Sequence, residues 1–457
     1  MYPNATSSAT ARSKPVVAQF NGGKLTSDAG ALLLKLADKK LRFSERINSL
    51  IHDPRDQRYI AHQQQHLLAQ RLYALCLGYE DVNDQTELRK DPALLVAVKN
   101  TTDEELPLGS ASTMTRLENR ITSKELSNLT KLFVECFIES YKEPPKQIII
   151  DVDATDDIIH GTQEGRYFNG FYDDYCFLPL YFFCGNQLLW AQLRSSAKGG
   201  AHGARAIFDY LVKRLRQSFP NVEIILRGDA GFYSPELLNY CDRHGYKYII
   251  GFSSNAVLKR LSKNVVIASK LFFKDAGSQE SFRLFDEYCY QAGSWDYARS
   301  IIVKAERLPD GSNLEGKENT RYIVTNLLGT PQELYEDVYC ARGDMENRIK
   351  EQQKWLFADR TSCHYFLANR FRLFVSSAAY VLMETIRRTA LNGTPMASAQ
   401  CGTIREKLFK IAAVVTVSAR RILFSLPSNC PVQELWLRVF DRLRLKHFWE
   451  NLPQPAS

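Results

Sequence analysis

The sequence has no closely spaced cysteine pair, although it holds ten cysteines in 457 residues. Cys176 and Cys184 are the nearest two. The lack of a Cys-x-x-Cys unit argues against a zinc ribbon, and the scatter against a disulfide framework, so buried reduced thiols are expected. No run of about 18 apolar residues occurs, so no membrane-spanning helix is expected. The opening MYPNATSSATARSKPVVAQF lacks the apolar centre of a secretory signal. Residues 1–21 therefore read as a disordered polar leader, and the expected address is the cytoplasm. A large net charge is also missing: the balance is +8. The charge is uneven, however. REKLFK, ARR and LRVFDRLRLK concentrate basic residues between Arg405 and Lys446, which suits nucleic acid or simply a solvated helix face.

What is present changes character along the chain. Residues 22–143 read as a helical domain suited to DNA binding or dimerisation. In it TSDAGALLLKLADKKL carries Thr26, Ser27 and Asp28 as a capping region, and HQQQHLLAQRLYALCLGY repeats apolar residues at helical spacing. After Pro144 and Pro145 the pattern turns to strands. KQIIIDVDAT is a strand ending in two aspartates. FLPLYFFCGNQLLWAQLR is a hairpin around Gly185 and Asn186. An amphipathic helix, the strand NVEIILRGD, a helix with Ser234, Pro235 and Gly245 at its ends, and the strand YKYIIGF follow. This order, in residues 144–253, is what an RNase H-like α/β core requires. Residues 254–330, with KNVVIAS among their runs, read as a β-rich insertion. Residues 331–395 read as the second, helical part of the core, and 396–457 as a helical basic C-terminus.

The carboxylates carry the chemistry. Alternate residues of a strand share a face, so Asp151 and Asp153 point the same way. Asp229 ends a later strand that this fold sets beside the first. Two neighbouring carboxylates repel unless a cation joins them. Mg2+ suits oxygen ligands, with Mn2+ as a substitute, and two such ions about 3.5–4 Å apart serve in-line displacement at a phosphodiester. A third acid is expected from YCARGDMENRIKEQQK, where Tyr339, Arg342, Glu346, Lys350 and Gln353 fall on one helical stripe. Glu346 is the candidate ligand. Arg342 and Lys350 are candidates for phosphate oxygens or for anchoring the acids.

DVDATDD, HGTQEG, FNG, RGDAGF and YCARGDMENRIKE, with LTSDAGALLL and LGYEDVNDQTELRKDPAL before them, resemble in order and spacing a DDE transposase of the IS4-like group, the IS1380 family. The resemblance spans nearly the whole chain. It implies a β insertion between the second acid and the third, Mg2+-dependent cleavage of terminal inverted repeats, and joining of the freed 3′ ends to target DNA. It implies a bacterial, nucleoid-associated enzyme acting as a homodimer on paired ends. Carried over by position, the catalytic and metal-binding acids are Asp153, Asp229 and Glu346. The Tyr-x2-Arg-x3-Glu-x6-Lys signature is met at Tyr339, Arg342 and Glu346 and fails at Gln353, which Lys350 and Lys354 flank. A nuclease that cuts without joining, and a silent DNA-binding descendant, are the rival readings.

Plainer roles compete at each position. Asp229 can cap the turn of RGDAG. Asp151 competes with Asp153, and Asp344 and Glu351 with Glu346, although Glu351 lies about 140° round the helix. His202, near a helix start, is a candidate phosphate contact, and His160 a loop histidine near the site. His62 and His66 have metal-like spacing without a third ligand. Trp190, Trp355 and Tyr248 suit a core, and Trp295 a stack on a displaced DNA end.

Overall fold

The computed structural model describes residues 5–8, 16–277, 280–311 and 313–445. It has mixed α/β architecture in two compact units. One comprises 130–350 and 361–366; the other comprises the chain up to 129, with 351–360 and 367 onward.

The first of these units is organised by a nine-stranded sheet. Its strands are β1 (Gln147–Ala154), β2 (Leu180–Cys184), β3 (Gln187–Gln192), β4 (Glu223–Gly228), β5 (Lys247–Phe252), β6 (Phe282–Tyr290), β7 (Arg299–Asp310), β8 (Asn313–Glu318) and β9 (Arg321–Thr325). The order is β6-β7-β9-β5-β4-β1-β2-β3, with β8 on β7. β4 is parallel to both β1 and β5, and β2 is antiparallel to β1. β2 and β3 close through Gly185 and Asn186, where Cys184 pairs Gln187 and Gly185 takes φ 55°. That is the tight hairpin the sequence signals.

The sheet is covered on both faces. Ile148, Ile150, Val152, Ile224 and Leu226 pack against helix α1 (Ala204–Ser218) and helix α2 (Pro235–His244). Burial of each such side chain stabilises the fold by about 1.5–3 kcal/mol. α2 has the ends its sequence forecasts: the Ser234 hydroxyl accepts from the Leu237 N–H, and Gly245 takes φ 71°. Ile225, Ile249, Ile302 and Ile323 face the other way, toward Leu334 and Tyr335. That second face also carries the odd-numbered polar residues of β1 and β4.

Three expectations change. KNVVIAS is not a strand: Lys263–Asp275 is helix α3. Its β-branched run sits on a helical period that buries Ser269 and Phe273 on one side. The strands of 254–330 do not form a sheet of their own. β9 pairs β5 and β7 pairs β9, so they extend the main sheet. The basic C-terminal region is not wholly helical: Ala413–Val417 and Ile422–Ser425 form a hairpin ahead of the helix Gln433–Arg444. In the leader, 5–8 pair antiparallel with 16–19, and its other residues before 16 lie outside those described.

In the other unit the helices Ala31–Leu41, Gln64–Leu77 and Phe366–Thr385 bury most of their apolar residues. Thr26, Ser27 and Asp28 do not cap the first of these. Gly30 does, its own N–H donating to the Phe409 carbonyl. Leu25–Thr26 pairs with Ala413–Val414. Among the described residues no helix is long and apolar enough to cross a membrane.

Candidate active site

β1 and β4 run parallel in a register that opposes Asp151 to Arg227 and Val152 to Gly228. One residue further, both strands present an aspartate: Asp153 on β1, and Asp229 just past β4. The two strands thus carry a neutral rung followed by a rung of like charge. Like charges opposite one another are unfavourable without a compensating cation.

The neutral rung is structural. Arg227 donates from Nε and Nη2 to the two Asp151 oxygens, the second at 2.8 Å, and from Nη1 to the Val338 carbonyl. Both side chains are buried. Asp151 is therefore a partner for arginine, and Arg227 ties the sheet to the segment that carries the third acid. The charge that interrupts the apolar run IILRGD has this as its reason.

That segment is not one regular helix. Its turns widen over Leu334–Tyr339 and tighten over Cys340–Arg342, and helix α4 (Gly343–Leu356) follows. The regular stripe expected from Tyr339 to Gln353 therefore begins only with α4, after Arg342. Wide turns of this kind recur at functional sites. Here the irregular turns bring Arg342 between two acids. Its Nη1 lies 3.3 Å from Asp153 Oδ2, and its Nη2 donates to Glu346 Oε1 at 2.8 Å. Burial pushes the Asp153 carboxyl up to about 6; Arg342 opposes this, and the charges of Asp229 and Glu346 add to it. Burial likewise raises the Tyr339 hydroxyl, with Arg342 opposing and Asp229 adding.

Asp229 caps the turn, as its plainer reading allowed. Its Oδ1 accepts from the Gly231 N–H at 2.9 Å and caps the short turn Ala230–Phe232. It also faces Asp153 across the strand ends. β5 passes close to this turn: a Cβ on Gly251 would stand 2.5 Å from the Ala230 nitrogen, 2.8 Å from the Tyr339 hydroxyl and 3.0 Å from the Asp229 carbonyl carbon. Gly251→Ala should therefore cost about 1–3 kcal/mol and slow any reaction that uses Asp229. Urea denaturation checks the first part; an unchanged midpoint would show that the turn can yield.

The donor set offered to a cation is all carboxylate oxygen, as a hard divalent ion prefers. Asp153 is largely buried beside like charge, which such an ion would relieve. Among the described residues no three His, Cys, Asp or Glu side chains are already gathered as a metal cluster; Arg342 supplies the counter-charge instead.

The remaining candidates separate. Lys350 is exposed, one turn beyond Glu346 on α4. The Lys354 ammonium lies over the Trp355 ring, 4.9 Å from its centre. His202 is exposed ahead of α1, and its carbonyl accepts from Arg194. His160 is exposed too. Glu351 is buried on Arg387 at 2.6 Å and Asp344 is exposed. Burial, with the nearby cation Lys99 adding to it, lowers the pKa of the His62 and His66 imidazoles. Trp190 and Tyr248 are buried, and Trp355 is partly so, donating to Gln400. Trp295 is a correction: it is buried, donates to the Tyr233 hydroxyl at 2.7 Å and lies under Arg299, so it cannot receive a base.

One residue escaped the sequence reading. Tyr172 is pushed up to about 12 by burial, with Asp156, Asp153 and Asp229 adding to it. The aromatic spacing of YFNGFYDDY was the available signal.

The central parallel strands of the sheet thus end in neighbouring aspartates, and a later helix carries a third acid beside Arg342. The chain belongs to the transposase DDE domain family: the model described as transposase DDE domain group 1 matches residues 8–447. No curated protein matches in sequence. Among solved structures the chain is similar to the piggyBac transposase in its synaptic complex with hairpin DNA, with 10% identity and a TM-score of 0.39. That similarity covers 94% of this chain and 86% of the other.

Proposed function

We propose that this chain is a cut-and-paste DNA transposase of the IS4-like group, IS1380 family. In this reading it binds the terminal inverted repeats of its own element as a homodimer, cuts them, and joins the 3′ ends to target DNA. The observation that carries the proposal is the like-charged rung, Asp153 beside Asp229, joined to Glu346 through Arg342. The strand order β3-β2-β1-β4-β5, with β2 alone running antiparallel to the other four, supports an RNase H-like core.

Asp153, Asp229 and Glu346 would hold two Mg2+, or Mn2+ in their place, which when bound supply electrophilic activation of the phosphodiester and neutralise charge on the oxygen that leaves. The chain's own side chains orient the DNA. Arg342 and Tyr339 border the acids, and Lys350 stands next on the helix, so these meet phosphate oxygens nearest the cut. Lys354 and His202 meet phosphates further along. Residues 22–143 and the basic region 396–457 grip the duplex, so affinity should fall steeply with salt.

The test is a labelled duplex carrying the inverted repeat that flanks the gene, with Mg2+ and a target plasmid. Nicks at the repeat boundary followed by joined product are expected. Nicks without joining would replace the proposal by a plain nuclease, and binding without nicks by a silent DNA-binding descendant. Mg2+ or Mn2+ should also raise the melting temperature; no shift, with or without DNA, counts against the metal site.

A further inference from the structure

A small three-stranded sheet grows from the end of β1. Its strands are Asp157–Ile158, Tyr167–Asn169 and Asp174–Phe177. The link to the acids is short: Ala154, next to Asp153, pairs Leu180, and Asp157 pairs Phe177. This sheet is unusual in what it exposes. Phe168 and Tyr175 stand directly opposite each other, ring centres 5.5 Å apart, and both are exposed. The Arg166 guanidinium lies 4.7 Å from the Tyr175 ring centre. At the tip, Phe171 is 87% exposed.

Phe171 is not a loose side chain on a floppy loop. Its N–H donates to the Asn169 side chain at 3.0 Å, and the Asn169 amide reaches the Ser196 carbonyl at 3.4 Å. Asp173 takes a left-handed φ of 55° to close the loop. Phe171 packs edge-on against Tyr172 at 4.9 Å, and Tyr172 is the half-buried ring that senses Asp153 and Asp229. An exposed ring is thus packed on a half-buried ring in the loop that closes the small sheet grown from β1. Keeping so much aromatic surface in water is unfavourable unless a flat apolar partner covers it.

We propose that Phe171 is a stacking platform for an unpaired DNA base next to the phosphodiester that is cut, with Phe168 and Tyr175 extending the strip and Arg166 marking its charged end. This rests on the transposase reading above. Two features favour a base over a protein surface. The exposed groups are rings rather than aliphatic chains, and a cation is interleaved with them.

The test uses the full chain in an Asp229→Asn background, so that bound DNA stays whole. The probe is a repeat-end duplex with an unpaired 2-aminopurine beside the cleavage position. Binding should quench its fluorescence; Phe171→Ala should leave it bright, and Phe171→Trp should restore quenching. With Asp229 intact, Phe171→Ala should slow cutting of the fully paired end about 5- to 150-fold, the range of one base–aromatic stack. The quenching comparison decides: equal quenching by the Ala variant overturns the proposal. So does a Phe171→Ala protein that loses a DNA-free dimer instead, for the ring would then cover a second copy. Normal cutting by the parent protein with unchanged quenching sinks the platform alone. Failure of the parent protein to bind or cut the end removes the transposase reading and the platform with it.

Discussion

Asp229→Asn should abolish cleavage and leave the protein folded. The two halves of this expectation come from the two oxygens of one carboxylate. Oδ1 caps the Ala230–Phe232 turn through the Gly231 N–H. Asparagine is as good a cap as aspartate, so the turn and the melting temperature should survive. The negative charge facing Asp153 does not survive, and with it goes an oxygen ligand for a divalent ion. Such ions contribute several kcal/mol of charge stabilisation in the transition state, and each 1.36 kcal/mol is tenfold in rate, so a loss of about 10³-fold or more is expected. The measurement pairs end-cleavage kinetics with DNA affinity and thermal melting. Lost cutting with retained binding and stability fits. If Asp229→Asn cuts at the parent rate, the residue is a turn cap and nothing else.

The second large effect belongs to Arg227. Arg227→Ala leaves Asp151 buried without its partner and cuts the tie to the Val338 carbonyl. Removing one member of a buried ion pair costs about 3–5 kcal/mol. Lysine should not rescue it, because the two parallel bonds to Asp151 need a planar fork. A double variant, Asp151→Leu with Arg227→Met, removes both charges and should recover much of the stability. Its cleavage should remain low, since nothing then fixes the irregular turns that place Arg342 and Glu346. Urea denaturation with matched cleavage rates checks both claims. A double variant that is stable and fully active would show that the tie does not position the third acid.

Much of the architecture was legible because its signals are local. β1, β2, β3, β4 and β5 are short apolar runs bounded by turns, and α2 announces its own ends with Ser234, Pro235 and Gly245. Strand alternation put Asp151 and Asp153 on one face and left the choice between them open; the resemblance named Asp153, Asp229 and Glu346. What was not legible depends on partners distant in sequence. That Arg227 serves Asp151 follows from a parallel register between strands far apart in the chain. That β9 joins β5, instead of building a separate domain, depends on pairing across all of α3. α3 was misread because Val265, Val266 and Ile267 favour strands in isolation, while burial of Ser269 and Phe273 settles the period. The widened turns before α4 left no mark in a pattern of 100° per residue.

The chain passes between its two units several times, and this has a consequence for synthesis. The unit with the acids has all its described segments once residue 366 is made. The other opens with Leu25–Thr26, whose strand partner is Ala413–Val414, and with Gly30, whose N–H waits for the Phe409 carbonyl. Its first helices thus emerge from the ribosome early and stay without these contacts until residues 409–414 appear. At about 5–20 residues per second, that wait is roughly 20–80 s. A ribosome that stalls or drops off late would release a chain with its acids in place and its other unit open, a substrate for proteolysis before it is an enzyme.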